Sequence, residues 1–209
     1  KIFHLISMGA ESLIMKEIIS EISQIFPSQL AFHTKSQSKD YSLKTDPIIV
    51  GNGFDKENYS FNEKENGPLG WAGRIAPEKG LEDAAKVARD LGEKLLVWGL
   101  IEDKEYASKI ENTFSKEIIE WRGFLPTIKF QEELGQCRAL INTPKWNEAY
   151  GNVIVEAMAC GVPVIAYDLG GPGELIEEGF NGFLVKPNDI EGLIKATKAI
   201  SEIKRKNCR

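Results

Sequence analysis

Two basic side chains flank one strand-to-helix junction in the stretch Gly73-Arg74-Ile75-Ala76-Pro77-Glu78-Lys79-Gly80. Arg74 offers a planar fork to phosphate oxygens and Lys79 a mobile point charge. Gly73 lets a ligand approach the backbone, and Pro77 suits a first helical turn. Cations at a helix start oppose the helix dipole, so they need a reason other than helix stability. A diphosphate is one such reason; plain surface exposure is the other.

A second constellation is Glu148-Ala149-Tyr150-Gly151-Asn152-Val153-Ile154-Val155-Glu156. Gly151 and Asn152 fall at the start of a helical pattern, where unpaired backbone N–H groups accept phosphate or sugar oxygens without a metal. Glu148, just before that helix, can accept hydrogen bonds from sugar hydroxyls. Glu156 falls within an otherwise apolar face with Val153, Ile154, Met158 and Ala159. A carboxylate there is costly unless something bonds to it; a ribose diol would serve, and so would a neighbouring backbone group or cation. As a glycosidase pair the two glutamates fit poorly. The intervening helix rises ~12 Å, against the roughly 5–9.5 Å that hydrolysis across one bond requires.

Gly170-Gly171-Pro172-Gly173-Glu174 is a third glycine-rich stretch. It departs from the dinucleotide fingerprint at Ile176 and lacks the acidic residue that should end a following strand. A turn beside a sugar suits it better than an NAD site, and a tight strand-to-helix turn explains its glycines equally well. The sequence has no Walker A pattern, no Asp-x-Asp pair to hold a divalent ion and no serine nucleophile elbow. His4 and His33, the only histidines, lie in or beside strand-like runs and read as satisfied core or rim residues.

These residues need a scaffold that brings strand ends together. Apolar strand patterns at 1–7, 29–33, 47–50, 69–74, 94–98, 118–121, 139–142, 162–166 and 182–185 alternate with helical patterns at 11–25, 78–91, 103–114, 126–134, 151–160, 171–178 and 190–203. Residues 36–42 and 56–66 read as polar connections. Such alternation predicts an α/β fold, a Rossmann-like parallel sheet with helices on both faces. Ligands of such sheets sit at the carboxyl ends of the strands, which is where the residues above fall.

Composition excludes several classes. Of 209 residues, 42% are hydrophobic and 27% charged, an ordinary globular balance, and the net charge is −5. With no long basic stripe, nucleic acid is not expected as a partner; Lys204-Arg205-Lys206 reads as a solvated helix end. Cys137, Cys160 and Cys208 lack disulfide or zinc spacing. The first two sit in apolar runs as small core residues, and a reducing cytoplasm fits them. No apolar run approaches the ~18 residues of a membrane span.

In series, Gly73-Arg74…Lys79-Gly80, Glu148-x7-Glu156, Gly161-Val162-Pro163-Val164, Gly170-Gly171…Glu174 and Asn181-Gly182-Phe183-Leu184-Val185 resemble family 4 of the retaining glycosyltransferases, over roughly residues 47–200. These are relatives of sucrose synthase and bacterial glycogen synthase. The resemblance implies the C-terminal half of a GT-B architecture, with a nucleotide diphosphate sugar as co-substrate and no metal required. By position it implies that Arg74 and Lys79 hold the diphosphate, with Gly73 beside them, and that Glu148 contacts the transferred sugar. Amides of Tyr150, Gly151 and Asn152 should meet the sugar and distal phosphate, with Val153 following, and Glu156 should bind the ribose. Gly99, Phe124 and Leu125 should border the base, Leu125 through its backbone.

The resemblance also carries departures. The family's glycine-rich loop reads here Trp98-Gly99-Leu100-Ile101, with one glycine, and Ser7 occupies the place of a family histidine. Residues 1–45 resemble the last piece of the N-terminal acceptor domain, Asn52-Gly53 the crossover, and 46–209 the donor-binding domain. The rest of the acceptor domain is expected to precede this sequence and a returning helix to follow Arg209, so a fragment is expected. Stretches 73–81 and 124–139 are further similar to cyanobacterial UDP-glucose:tetrahydrobiopterin glucosyltransferases. That implies UDP-glucose as donor and a pterin as acceptor. The expected function is retaining hexosyl transfer from a nucleotide sugar to a small-molecule acceptor, by a fragment inactive on its own. The alternatives are a sugar-nucleotide-binding module without catalysis and a sugar-nucleotide epimerase on the same architecture.

Overall fold

The computed structural model describes residues 2–9, 13–63 and 66–209. The sequence readings at 1, 10–12 and 64–65, which include the start of the first strand and of the first helix, lie outside the described residues. Among the described residues the chain forms two parallel sheets.

The smaller sheet runs β1 (His4–Ile6), α1 (Leu13–Ile25), β2 (Leu30–Phe32), α2 (Lys35–Ser38), β3 (Ile48–Ile49), with strand order β1-β2-β3. Its own small core is Ile19, Leu30, Phe32 and Tyr41. The segment read as a polar connection contains α2, a single turn. Thr34 caps it by accepting the Gln37 N–H at 3.0 Å, and Glu174 accepts the N–H groups of Lys35 and Ser36 at 3.1 and 2.6 Å. One of those partners is far away in sequence, which is why local pattern did not expose the turn.

The larger sheet contains β4 (Leu69–Ala72), β5 (Leu95–Trp98), β6 (Ile119–Gly123), β7 (Ala139–Asn142), β8 (Val164–Tyr167) and β9 (Gly182–Val185), in the order β6-β5-β4-β7-β8-β9. Between them run α3 (Leu81–Leu91), α4 (Lys104–Thr113), α5 (Thr127–Leu134), α6 (Asn152–Ala159) and α7 (Pro172–Leu175), followed by α8 (Ile190–Ala199) and α9 (Arg205–Cys208). The α/β expectation therefore holds. β7 and β8 are buried along their whole length, as strands covered on both faces must be. Strand order reverses between β4 and β7, so the crevice at their carboxyl ends is the ligand-binding position of this topology.

α3 buries Leu81, Ala84, Ala85, Val87 and Ala88, a helical stripe against the sheet. It starts at Leu81 rather than 78. Gly80 takes a left-handed conformation (φ 65°) and divides the expected helix into a 3-10 turn, Pro77–Lys79, and α3 proper. Lys79 thus lies on a tight turn facing the strand ends. The final helical pattern likewise breaks after Ala199, and α9 follows.

The basic tail corrects the sequence reading. Arg205 is not a solvated cation but 4% exposed. It donates to the carbonyls of Asn62, Cys137 and Gly135 at 2.7, 2.8 and 2.9 Å. All three cysteines are free and buried; burial pushes the Cys137 thiol up to about 12.

Candidate functional site

Gly73 and Arg74 follow β4, Gly99 follows β5, and the loops touch. Gly73 N–H bonds Trp98 O at 3.1 Å, Gly99 N–H bonds Gly123 O at 3.0 Å, and Ile75 N–H bonds Leu100 O at 2.8 Å. A side chain at Gly99 would place its Cβ 1.8 Å from Gly73 O, at a φ of +146°. That approach requires glycine at this position.

These loops and those after β6 and β7 enclose a cleft of about 470 Å³. Gly73, Arg74 and Lys79 line it from the β4 side, and Gly99, Phe124 and Leu125 from the β5 and β6 side. Glu148, Gly151, Asn152, Val153 and Glu156 line it from the β7 side. The structure thus brings together eleven of the twelve site residues read from sequence. The twelfth, Tyr150, is expected to act through its amide; its ring lies 5.8 Å from that of His33, toward the smaller sheet. His33 itself bonds Gly51 O through Nδ1 at 2.6 Å, and His4 is exposed beside Phe26.

Lys79 Nζ lies 2.5 Å from Glu148 Oε2. Arg74 pairs with Glu102 at 2.6 Å and Glu78 at 3.0 Å, and the Glu102 bond raises its pKa further. Glu156 accepts a hydrogen bond from the Tyr59 hydroxyl at 3.1 Å. Burial raises the Glu156 pKa, partly offset by that bond, and burial together with the Glu156 charge pushes Tyr59 up to about 12. Among the described residues its hydrogen-bond partner is a phenol rather than a backbone group or a cation, and Glu156 lines the cleft.

The glycine-rich stretch 170–173 does not line this cleft. Gly171 N–H bonds Glu148 O at 2.6 Å, and a Cβ at Gly170 would meet that same oxygen at 2.3 Å. Gly170 and Gly171 serve close backbone packing against Glu148 and Tyr150, as a tight strand-to-helix turn does.

Three residues escaped the sequence reading. Trp146 lies beside both cations, its ring centroid 4.5 Å from Lys79 Nζ and 5.4 Å from Arg74 Cζ. Trp71 Nε1 and Asn142 Oδ1, both on the cleft, are buried polar atoms without a hydrogen-bond partner among the described residues. A lone tryptophan in a loop, or a polar residue at a strand end, carries no spacing signal. A second crevice lies across Arg74 and Trp146, with Ser7, Met8 and Gly9 on its far wall. Among the described residues there is no group of three acidic, histidine or cysteine side chains able to hold a metal. No helix among them is long and apolar enough to cross a membrane.

A six-stranded parallel sheet reversing at β4/β7, with a cation- and amide-lined cleft at that reversal, is the α/β architecture of GT-B glycosyltransferase C-terminal domains. The family model for glycosyl transferases group 1 matches residues 53–209, and the chain belongs to that family. An uncharacterized glycosyltransferase of Methanocaldococcus jannaschii is 33% identical over 158 residues, covering 73% of this chain and 44% of its own. Sucrose synthase 5 of Oryza sativa subsp. japonica is 34% identical over 129 residues, covering 53% of this chain and 15% of its own. The chain therefore spans less than half the length of these curated relatives. Among solved structures, Anabaena Alr3699/HepE in complex with UDP and glucose superposes with a TM-score of 0.81 at 20% identity, covering 94% of this chain and 60% of that one. Sucrose-phosphate synthase from Thermosynechococcus elongatus gives a TM-score of 0.81 at 18% identity, covering 99% and 61%. At such identities the structures share the fold.

Proposed function

We propose that the chain is the donor-binding part of a retaining hexosyltransferase of glycosyltransferase family 4 that takes its sugar from UDP-glucose. The observation that carries this is the meeting of Arg74, Lys79 and the Gly151–Asn152 end of α6 in one cleft at the strand-order reversal. As the bond from C1 to the diphosphate breaks, negative charge grows on the leaving phosphate. Two cations and a helix N-terminus aimed there stabilise it, which is electrostatic catalysis at the leaving group and serves in place of a metal. Glu148, with Lys79 fixed on it, contacts the transferred sugar, and amides of Tyr150, Gly151 and Asn152 meet the sugar and distal phosphate. Glu156 takes the ribose through its oxygen not bonded to Tyr59, and Gly99, Phe124 and Leu125 border the base.

In this reading residues 1–45, with β3 (Ile48–Ile49) that pairs to them, belong to the acceptor side and the rest of 46–209 to the donor side. The chain alone binds donor without turnover, because transfer needs the acceptor wall closed over the cleft. Three buried thiols suit a reducing compartment, and we place the enzyme in the cytoplasm. UDP-glucose in the Anabaena relative's crystals supports the donor; a pterin acceptor rests on sequence likeness alone. Titrating the chain with UDP-glucose tests the reading, and binding in the micromolar to millimolar range is the expected result. No binding by UDP-glucose, or by any other sugar nucleotide, sinks it. Interconversion of the donor with no acceptor present would favour an epimerase instead.

A further inference from the structure

We propose that Trp146 is a positioning residue for the two diphosphate-binding cations; this rests on the sugar-nucleotide reading above. The indole ring faces Lys79 Nζ at 4.5 Å and Arg74 Cζ at 5.4 Å from its centroid. Its Nε1 donates to Glu148 Oε2 at 3.2 Å, the same oxygen that takes the Lys79 ammonium at 2.5 Å. Two like charges held beside one ring repel each other, and the negative face of the π-system adds to the screening that Glu78, Glu102 and Glu148 supply, with no further anion to compete with the ligand. A tryptophan thus holds both cations toward the cleft without adding a negative charge.

The loop that carries Trp146 is tied to the turn that carries Lys79. Thr143 Oγ1 donates to Gly80 O at 2.8 Å, and Lys145 N–H donates to Glu78 O at 2.7 Å. The Lys145 ammonium is bound to Asp83 on α3 and to Asn188 Oδ1 at 2.8 Å. Indole and ammonium are therefore parts of one braced unit, and the diphosphate meets cations already in place. Pre-setting them removes an ordering cost that binding would otherwise carry.

The test uses the 209-residue chain with UDP followed by calorimetry and uridine by ligand-observed NMR, comparing wild type, Trp146→Phe and Trp146→Leu. Trp146→Leu is expected to weaken UDP about tenfold while leaving uridine unchanged, since only the diphosphate reads the cations. Trp146→Phe, which keeps a π face and loses the N–H, should stay within about threefold of wild type. Unchanged UDP affinity in Trp146→Leu would overturn the inference, and so would an equal loss for UDP and uridine. A wild-type chain that binds no UDP overturns the parent reading, before any variant is compared.

Discussion

Lys79 and Glu148 face each other across the reversal of strand order, Nζ to Oε2 at 2.5 Å, with side chains only 17% and 15% exposed. One follows β4 and the other β7, so the pair bridges the crevice between the two halves of the sheet. Their charges act in opposite senses on an anionic ligand. Lys79→Ala should weaken UDP binding by about 2 kcal/mol, roughly thirtyfold, the worth of a charge-assisted hydrogen bond. Glu148→Gln removes a repelling charge and should bind UDP as tightly as wild type or several-fold tighter, yet lose sugar transfer. Calorimetry with UDP on both variants decides this; equal weakening would mean that the two residues do not have separate roles.

Arg74 is the more exposed cation, held by Glu102 and Glu78. If it meets the leaving phosphate, Arg74→Ala should slow turnover of a transfer-competent enzyme about a hundredfold, or about 3 kcal/mol, by analogy with loss of one oxyanion donor. Arg74→Lys should recover only part of that, because the planar fork is gone. Turnover at saturating donor is the measurement, and near-normal rates in Arg74→Ala would remove Arg74 from the chemistry.

The cleft was legible in the sequence wherever its residues come in local series. Gly73 to Gly80 and Glu148 to Glu156 each span a strand end and a helix start, and the alternation of elements places both at one sheet edge. What was not legible depends on partners distant along the chain. Arg205 reads as a solvated tail cation until the carbonyls of Gly135, Cys137 and Asn62 close around it. α2 needs a carboxylate from Glu174, and Trp146 has meaning only once Arg74 and Lys79 stand against its ring.

Gly80 separates the Lys79 turn from α3 at φ +65°, and a Cβ there would sit 2.0 Å from Thr143 O. Gly80→Ala must therefore push the β7 loop away as well as strain its own backbone. Gly92, at φ +67° with nothing within 4 Å of a Cβ, shares only the strain. Gly92→Ala should cost about 1 kcal/mol and leave UDP affinity alone. Gly80→Ala should cost about 3 kcal/mol or more and weaken UDP. Chemical denaturation paired with UDP titration checks both; equal costs would show that the Gly80–Thr143 approach relaxes freely.

Arg205 fixes the end of the chain to the loops around Asn62 and Gly135. A buried guanidinium whose side chain is removed leaves several carbonyls unsatisfied, so Arg205→Ala should destabilise by about 3 kcal/mol. Arg205→Lys, with a compact head that cannot span three carbonyls, should lose about half as much. Thermal melts of the two variants would contradict this assignment if both matched wild type.

Asp83 carries the pH prediction. Its side chain is 4% exposed, and it binds the Lys145 ammonium, Lys86 Nζ at 2.9 Å and the Tyr167 hydroxyl at 2.7 Å. Burial works to raise its pKa, but the bonds from Lys145, Lys86 and Tyr167 outweigh it and hold the carboxyl below its ordinary value. A carboxyl depressed in the folded state contributes stability that is complete above its unfolded pKa of about 3.9 and lost as pH falls through the folded value. Asp83→Asn should therefore destabilise by about 3 kcal/mol near neutrality, where it breaks a buried pair. The gap to wild type should begin to narrow below about pH 4, where the unfolded chain takes up the proton, and close only below the depressed folded pKa of Asp83. Because Asp83 holds Lys145, and Lys145 precedes Trp146, UDP affinity at neutral pH should fall in the same variant. Denaturation curves for the two proteins that stay parallel from neutral to acid pH would show that Asp83 is not the titrating anchor of this loop.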